Sequence, residues 1–169
     1  MTAPRRTIDV VLEGRGKITL HPSDYVATGG EGEIYRAKNT VIKLYIDRHK
    51  MKREDTAGKI KLLSKITHPF IVTPKGLVTE SGAPVGFYMD FVSGEPFPRL
   101  FTNDFRNREG FTDKDALTIV ARMQEAVTCA HSHKAIMADA NEMNWIAALH
   151  GKNGPEPRVI DVDSWATGR

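Results

Sequence analysis

A glycine-rich loop between two strand-like runs constrains the fold of this chain more than any other feature. Gly29, Gly30 and Gly32 separate residues 24–28 from residues 33–38, and both runs read as β-strands. A loop without side chains can bring backbone N–H groups close to phosphate oxygens, although glycine pairs are also common in ordinary hairpin turns. Because the glycines lead into a strand and not into a helix, a dinucleotide-binding βαβ unit is disfavoured. The missing Gly-Lys-Ser/Thr sequence excludes a P-loop.

Strand patterns dominate the first half of the chain. The further predicted strands are residues 7–12 and 17–20, which flank a turn sequence, the β-branched run 41–46, and residues 71–78 and 85–91. Residues 50–66 instead carry apolar residues at helical spacing, and His68-Pro69 ends that helix. The first half is therefore predicted to be an antiparallel sheet with one long helix.

The second half begins with a change of composition. Residues 93–96 resemble a linker, and residues 97–111 are expected to be irregular. Residues 112–115 match a capping box, with Asp at its fourth position, and open a helix that continues to about Ser132. Since this helix is apolar over most of its circumference, it is expected to be buried.

Short apolar strands complete the pattern at residues 135–149 and 156–165, on either side of a glycine-containing hairpin loop. The predicted fold class is α+β. Two lobes are expected, residues 1–92 with the sheet and residues 93–169 with a partial helical lobe, and a cleft is expected at the linker.

Composition excludes several classes of protein. A chain of 169 residues has the size of one soluble domain, and a net charge of +3 is too small to indicate nucleic-acid binding. No apolar run approaches membrane-spanning length and the N-terminus lacks an apolar signal core, so a cytoplasmic protein is expected. The single cysteine, Cys129, is interpreted as a small core residue.

Lys43 follows the glycine loop in the run 41–46. Strand alternation places it on the face opposite Ile42 and Leu44. A lysine in such a strand is usually a solvated residue of an edge strand. The glycine loop shortly before it favours a role in holding phosphate.

Polar residues that could complete a site follow the buried helix. Asp139 precedes Asn144 by five residues, so a carboxylate could orient a hydroxyl while a carboxamide binds Mg²⁺. Loops rich in Asp and Asn are also common simple turns. The strand 156–165 contains Asp161 and Asp163, and either carboxylate could bind a cation on chemistry alone.

Taken together, these residues resemble the protein-kinase family, in particular its bacterial, atypical branch. The resemblance extends from about Asp24 to the end of the chain. Residues 27–34 resemble the glycine-rich loop, with Ala27 in place of its first glycine, and residues 41–43 resemble the strand that carries the phosphate-binding lysine. Residues 87–95 are similar to the segment between the lobes. The sequence 131–146 resembles the catalytic loop, and 159–163 the metal-binding motif, in a register that favours Asp161.

The resemblance implies an ATP- and Mg²⁺-dependent phosphotransferase, of the Ser/Thr kinase type, that moves the γ-phosphate of ATP to a hydroxyl acceptor. Asp139 would accept the hydroxyl proton, Asn141 would contact the γ-phosphate, and Asn144 and Asp161 would bind the metal. The nucleotide-binding residues that it implies are Ala27, Gly29, Gly30, Gly32, Ile34, Val41, Lys43, Met89, Asp90, Val92 and Ile146.

Several departures from the family pattern keep other functions open. Met137 and Ala138 replace the usual His and Arg, and Lys59 falls near the expected position of the glutamate that pairs with the lysine. The sequence ends at Arg169, so we expect either a fragment or an apolar helix face covered by a partner or a second copy. The alternatives are a pseudokinase that binds nucleotide or protein, and a structural protein without nucleotide binding. Protein, lipid and small-molecule acceptors all stay open.

Overall fold

The computed structural model describes residues 6–168, apart from the side chain of Arg53. Its fold is α+β with a curled antiparallel sheet and few helices, which confirms the predicted class. The described residues divide into two compact units. The first unit contains residues 6–65 and 74–91, and the second contains residues 66–73 and 92–168.

A seven-stranded antiparallel sheet forms the first unit. Its strands are β1 (Ile8–Leu12), β2 (Gly16–Leu20), β3 (Tyr25–Thr28), β4 (Gly32–Ala37), β5 (Thr40–Tyr45), β6 (Gly76–Glu80) and β7 (Ala83–Asp90), in the order β2-β1-β6-β7-β5-β4-β3. The predicted hairpins β1–β2 and β3–β4 are confirmed. Both were marked by alternating strands around glycine-containing turns, which are a short-range hairpin signal.

Apolar residues line both faces of this sheet. The large core on one face contains Ile8, Val10, Leu12, Leu20, Tyr35, Ile42, Leu44, Val78, Val85 and Tyr88. The helix-side core on the other face contains Tyr45, Met51, Ile60, Leu77 and Phe87. Each fully buried side chain of this size contributes about 1.5–3 kcal/mol, so the two cores together determine the register of the strands.

The prediction of one long helix at 50–66 is wrong. Two short helices, α1 (Lys50–Arg53) and α2 (Thr56–Leu63), occupy this segment. Asp55 separates them in the left-handed conformation, with φ 50° and ψ 33°, which interrupts the helical hydrogen-bond ladder. Gly58 accommodates this break because a Cβ there would lie 2.7 Å from the Asp55 carboxylate.

The strand predicted at 71–78 is only partly correct, because β6 begins at Gly76. Pro74 lacks the N–H that a central strand must donate, so the strand cannot extend back through it. Residues 71 and 72 belong to the second unit instead, where the Val72 N–H donates to the Val159 carbonyl at 3.0 Å.

The second unit combines three helices with short strands. The helices are α3 (Phe97–Leu100), α4 (Asn103–Glu109) and α5 (Asp113–Ser132), and the strands are β8 (Glu95–Pro96), β9 (Ala135–Ile136), β10 (Trp145–Ala148), β11 (Glu156–Val159) and β12 (Ala166–Thr167). The strands form two sheets, β11-β10-β8 and β12-β9. The β10–β11 hairpin is confirmed, whereas the rest of 135–149 and 156–165 is mostly turns.

The prediction of an irregular segment at 97–111 is wrong. Its two helices form because Phe97, Leu100 and Phe105 are buried at 3%, 0% and 2% exposure. The Thr102 hydroxyl accepts from the Phe105 N–H at the start of α4, and Gly110, with φ 64°, ends the helix.

The capping box at the start of α5 is confirmed. The Thr112 N–H donates to the Asp115 carboxylate at 2.8 Å, and the Asp115 N–H donates to the Thr112 hydroxyl at 3.2 Å. The Thr112 N–H, and after it the Thr112 hydroxyl, which donates to the Asp115 carboxylate at 2.8 Å, lower the pKa of Asp115.

The expectation that α5 is a buried helix is met on one face only. Only Ile119, Ala126 and Ala130 are buried, whereas Leu117 is 71% exposed and Val120 is 59% exposed. The helix packs through one face, mainly against β9 and β11, and Leu117 and Val120 on the opposite face are exposed among the described residues. Cys129 is half-buried at the margin of the packed face and not in the core.

No helix among residues 6–168 is both long and apolar enough to cross a membrane.

Candidate functional site

Five predicted nucleotide-binding residues share one face of the first unit's sheet. Ala27 lies opposite Ile34, Ile34 lies opposite Lys43, and Val41 lies opposite Met89. Direct cross-strand partners lie on the same face, as do residues two apart in one strand. Apart from Lys43, these side chains are half-buried or exposed, so they form an accessible apolar surface that is suited to a planar ring.

Lys43 is not the solvated lysine of an edge strand. Strand β5 lies between β4 and β7, and Lys43 is only 8% exposed. Its Nζ lies 5.6 Å from the ring centroid of Tyr45 and 6.0 Å from that of Phe87, on the helix-side core. Burying an ammonium group is costly, so its presence in an otherwise apolar strand favours a function for the charge.

The three loop glycines differ in what surrounds them. A Cβ on Gly32 would lie 2.9 Å from the Leu44 carbonyl oxygen, so the packing of β4 on β5 alone requires glycine there. A Cβ on Gly30 would meet no atom within 4 Å, and one on Gly29 would meet only the Gly32 oxygen at 3.9 Å. Neither Gly29 nor Gly30 has a φ in the left-handed region. Neither packing nor backbone conformation in the described chain therefore requires glycine at these two positions, and the space next to them is open.

The glycine loop is anchored at its tip. The Gly29 N–H donates to the Gly32 carbonyl at 2.9 Å, and the Ile46 N–H donates to the Glu31 carbonyl at 3.0 Å. The Glu31 carboxylate accepts from Lys50 Nζ at 2.6 Å, which ties the loop to α1. The backbone of the loop is therefore held in place before any ligand binds.

Asp90, a predicted contact to the base through its backbone, is held by cations from two other strand connections. Arg15 in the β1–β2 turn lies 3.4 Å from the Asp90 carboxylate and donates to Thr40 Oγ1 at 3.0 Å. Lys75 lies 3.6 Å from the same carboxylate. Arg15 also stacks on the Tyr88 ring at 5.0 Å. These contacts orient the end of β7, and the sequence contained no signal for them because they join residues up to 75 positions apart.

A hydrogen-bonded network organises the Asp139 loop in the second unit. Asn141 Nδ2 donates to Asp139 Oδ1 at 2.8 Å, and Asn144 Nδ2 donates to the Asp139 carbonyl at 2.9 Å and to Oδ2 at 3.4 Å. Asn141 Oδ1 in turn accepts from the Met143 N–H at 2.9 Å and caps the 3₁₀ turn 142–144. The two predicted asparagines thus fix the position of an exposed carboxylate.

The β10–β11 ladder brings Asn144 next to Asp161. Trp145 pairs with Val159, and in the next position the Ile160 N–H donates to the Asn144 carbonyl at 2.8 Å. Ile160 therefore lies opposite Asn144, and Asp161 is the residue that follows Ile160. Asp161 adopts the left-handed conformation, with φ 60° and ψ 39°. That conformation costs roughly 1–2 kcal/mol in most residues and less in Asp, and such strain is concentrated at functional positions.

Asp163 has a different environment from Asp161. It lies in the 3₁₀ turn Val162–Ser164 and is 6% exposed, whereas Asp161 is half-buried. The Ser164 hydroxyl donates to the Asp161 carbonyl at 2.9 Å and holds the turn that begins there. Of the two candidates, Asp161 is therefore the more accessible to a cation.

The chemistry of these residues fits a magnesium ion. Because both hydrogen bonds of the Asn144 amide use its nitrogen, its oxygen is left as an acceptor, and Mg²⁺ prefers carboxylate and amide oxygen ligands. No cluster of three or more His, Cys, Asp or Glu residues suited to a metal occurs in the described range. A magnesium ion held by one carboxylate and one amide would take its other ligands from phosphate and water.

The remaining predicted residues belong to the second unit. Ile146 is half-buried on β10, between Pro96 of β8 and Arg158 of β11, and Val92 is half-buried ahead of β8. Gly94 keeps this segment close to β10, because a Cβ there would lie 2.7 Å from the Ala147 oxygen. The predicted set is thus divided, with the loop, Lys43, Met89 and Asp90 in the first unit and the others in the second.

Trp145 and Trp165 are packing residues, at 3% and 2% exposure, and Trp145 packs on the Phe97 ring at 5.9 Å.

Neither a scan against protein-family models nor a search of curated proteins finds a match for this chain.

Proposed function

We propose that this chain is an ATP- and Mg²⁺-dependent phosphotransferase of the protein-kinase-like, two-lobe type, which transfers the γ-phosphate of ATP to a hydroxyl acceptor. One observation carries the proposal. Asp161 lies in a different loop from Asp139 and Asn144, yet a hydrogen-bond network and a strand ladder gather the three residues at one end of the β10–β11 hairpin. A carboxylate, an amide oxygen and a second carboxylate in that order match the parts that phosphoryl transfer needs.

The first unit supports the proposal with a second set of groups. Gly29 and Gly30 leave open space above a loop whose backbone is anchored, and Lys43 supplies a buried ammonium group on the same sheet. The half-buried side chains of Ile34, Val41 and Met89 offer an apolar surface for the base. Each of these features alone would not indicate a ligand, but their combination is typical of a nucleotide site.

In the proposed mechanism each residue has one task. Asp139, oriented by Asn141, accepts the proton of the attacking hydroxyl. Lys43 and the loop N–H groups neutralise and orient phosphate oxygens, and Asn144 and Asp161 hold the metal. Bound Mg²⁺ would offset the charge that develops on the transferred phosphoryl group. The acceptor is a hydroxyl compound, with a protein side chain as the first choice.

The direct test is consumption of γ-labelled ATP in the presence of Mg²⁺, with the label followed into the protein itself and into inorganic phosphate, and with ADP release measured separately. Asp139→Ala is expected to lower the rate by about 10²–10⁴-fold, because a positioned general base contributes that much. Asp161→Ala should lower the rate and raise the Mg²⁺ concentration needed for half-maximal activity, because a carboxylate ligand is lost. Glu142→Gln is the matched control, since Glu142 is an exposed acid of the same loop that none of these tasks uses. Equal rates in parent and Asp139→Ala would reject a catalytic function.

A pseudokinase is the second candidate, and one observation favours it. The carboxylate of Glu54, one of the acids nearest in sequence to the expected lysine partner, lies 4.0 Å from Lys50 Nζ. Because Glu54 lies beside Lys50, it does not supply the glutamate that the kinase pattern places against the lysine, and a nucleotide-binding module without turnover is the result expected from that departure. Stabilisation by ATP against heat, together with no label transfer, would distinguish it from the enzyme. The proposal in either form includes a cytoplasmic location and no nucleic-acid partner.

A further inference from the structure

Positive charge is concentrated on one segment of the first unit. Residues 48–65 contain seven lysines and arginines but only two acidic residues, a net charge of +5, whereas the whole chain carries +3. Of these cations, Lys50 pairs with Glu31 at 2.6 Å and Arg48 lies 3.9 Å from Glu80. Lys52, Lys61 and Lys65 form no ion pair with any residue in the described part of the chain.

Lys61 and Lys65, together with Lys75, line a groove on the first unit. The groove lies between the end of α2 and the start of β6 and is bordered by Lys61, Ser64 and Lys65 on one side and by Lys75 and Gly76 on the other. All three lysines are exposed. Lys61 lies in the last turn of α2 and Lys65 just after the helix ends, so two like charges border one side of the groove.

Little in the groove neutralises these charges. Glu13 is the one acidic residue among those that line it, and its carboxylate already accepts the Leu77 N–H at 2.9 Å. Lys75 Nζ also forms an ion pair with the Asp90 carboxylate, at 3.6 Å. The base of the groove, Ile60 and Leu77, is almost inaccessible at 1% and 8% exposure. A ligand would therefore bind mainly through its charge.

The backbone around the groove indicates what kind of anion fits. Phosphate sites usually present several convergent backbone N–H groups. Here the N–H groups of Ser64, Lys65 and Lys75 are occupied, since they donate to Ile60, Leu62 and Tyr88 carbonyls at 2.9, 3.2 and 2.8 Å. What is available is a set of flexible ammonium groups spaced along a groove. Such a set suits carboxylates spread along a chain better than one compact phosphate.

We propose that this lysine groove, defined by Lys61, Lys65 and Lys75, is a docking surface for an acidic segment of a partner protein. The proposal is independent of nucleotide binding, because the groove contains none of the residues assigned to ATP. It gives the basic helices of the first unit a function in recognition, with Asp and Glu side chains of the partner facing the lysines.

The test uses a short fluorescein-labelled peptide of alternating Glu and Ser, and its Gln and Ser counterpart, in fluorescence anisotropy titrations with the full chain. The Glu peptide is expected to bind. The Lys61→Ala/Lys65→Ala variant should bind it about 2-fold to about 30-fold more weakly, since two exposed ion pairs of about 0.2–1 kcal/mol each are lost. Binding should also weaken as ionic strength rises from about 0.1 M to about 1 M, where the Debye length falls from about 10 Å to about 3 Å.

Lys114→Ala/Lys152→Ala is the matched control, because it removes the same charge from two exposed lysines of the second unit. Retention of parent affinity by this control, with loss in the groove variant, supports the proposal. Equal loss in both variants would mean that only net charge matters and would overturn it, as would equal binding of the Gln peptide or no binding of the Glu peptide. The last part of the test uses tripolyphosphate as a competitor of the Glu peptide. If it displaces the Glu peptide from the groove lysines at lower concentration than unlabelled Glu peptide does, the site is a phosphate site and the proposal is wrong.

Discussion

Replacing Gly30 with alanine should separate stability from ligand binding. The added methyl group would meet no described atom within 4 Å, and the φ of Gly30 lies outside the left-handed region. Alanine restricts the unfolded chain more than glycine does, so at a compatible position it stabilises a protein by about 0.4–1 kcal/mol. We therefore expect Gly30→Ala to raise the free energy of unfolding slightly.

The same methyl group should weaken nucleotide binding. If phosphate oxygens approach the Gly30 N–H closely, the methyl carbon occupies part of the space that they need. Forcing an extra carbon into a fitted contact costs about 1–3 kcal/mol, which corresponds to a Kd for ATP about 5-fold to about 150-fold higher. Stability and affinity are thus expected to change in opposite directions.

Gly32→Ala provides the contrast within the same loop. Its Cβ would lie 2.9 Å from the Leu44 carbonyl oxygen and 3.2 Å from the Lys43 side chain. The backbone of β5 cannot move away without breaking its ladder to β7, so we expect a loss of about 1–3 kcal/mol in stability. Any loss of affinity in this variant would accompany the displacement of β5, which carries Lys43.

Urea unfolding and calorimetric titration with ATP and Mg²⁺ measure the two quantities. A shift in midpoint without a change in slope reports stability alone. The reasoning fails if Gly30→Ala is destabilised as much as Gly32→Ala, because the space above the loop would then not be open. It also fails if Gly30→Ala is as stable as the parent and binds ATP equally well, because the loop would then not contact phosphate.

Three further outcomes are expected. Arg122→Ala should lower the stability of the second unit by about 1–3 kcal/mol in urea unfolding, because its guanidinium donates to the Asn153, Gly154 and Pro155 carbonyls at 2.7–3.3 Å. An unchanged free energy of unfolding would show that other contacts hold the loop 153–155. Because the pKa of Asp115 is lowered in the folded state, its contribution to the free energy of unfolding is complete above its unfolded pKa and is lost as pH falls through the folded value. The parent should therefore lose more stability than Asp115→Asn below about pH 4, and an equal or smaller loss would contradict the capping box. Arg15→Ala should speed amide hydrogen exchange at the end of β7. Lys17→Ala should not, because it removes only an exposed ion pair with Asp9 in the same hairpin. Equal exchange in both variants would show that Arg15 does not hold the end of β7 in place.

Local signals in the sequence account for the elements that were predicted correctly. The β3–β4 and β10–β11 hairpins were identified because alternation and turn residues act over a few neighbours. The capping box at Thr112 and Asp115 was identified for the same reason. Lys43 was assigned to the correct face because side chains in a strand alternate regardless of what covers them.

The wrong predictions have different causes. The helix break at Asp55 needs a left-handed residue that propensity does not indicate. Helix α4 could have been found from Thr102 and Gly110, which have the residue types of an N-cap and a C-terminal stop. The exposure of Leu117 on α5 could not, since it depends on which elements pack against the helix.

For the candidate site, the sequence by itself determined which chemical groups are present and in what order: the glycines, the buried-strand lysine and the Asp and Asn residues of two loops. Only the tertiary structure decided which glycine the fold itself requires, which of Asp161 and Asp163 is accessible, and that Asn144 lies beside Asp161. The physical reason is one of range. Residue type and alternation act between chain neighbours, whereas open space, burial and ladder register are properties of segments that meet only after the chain has folded.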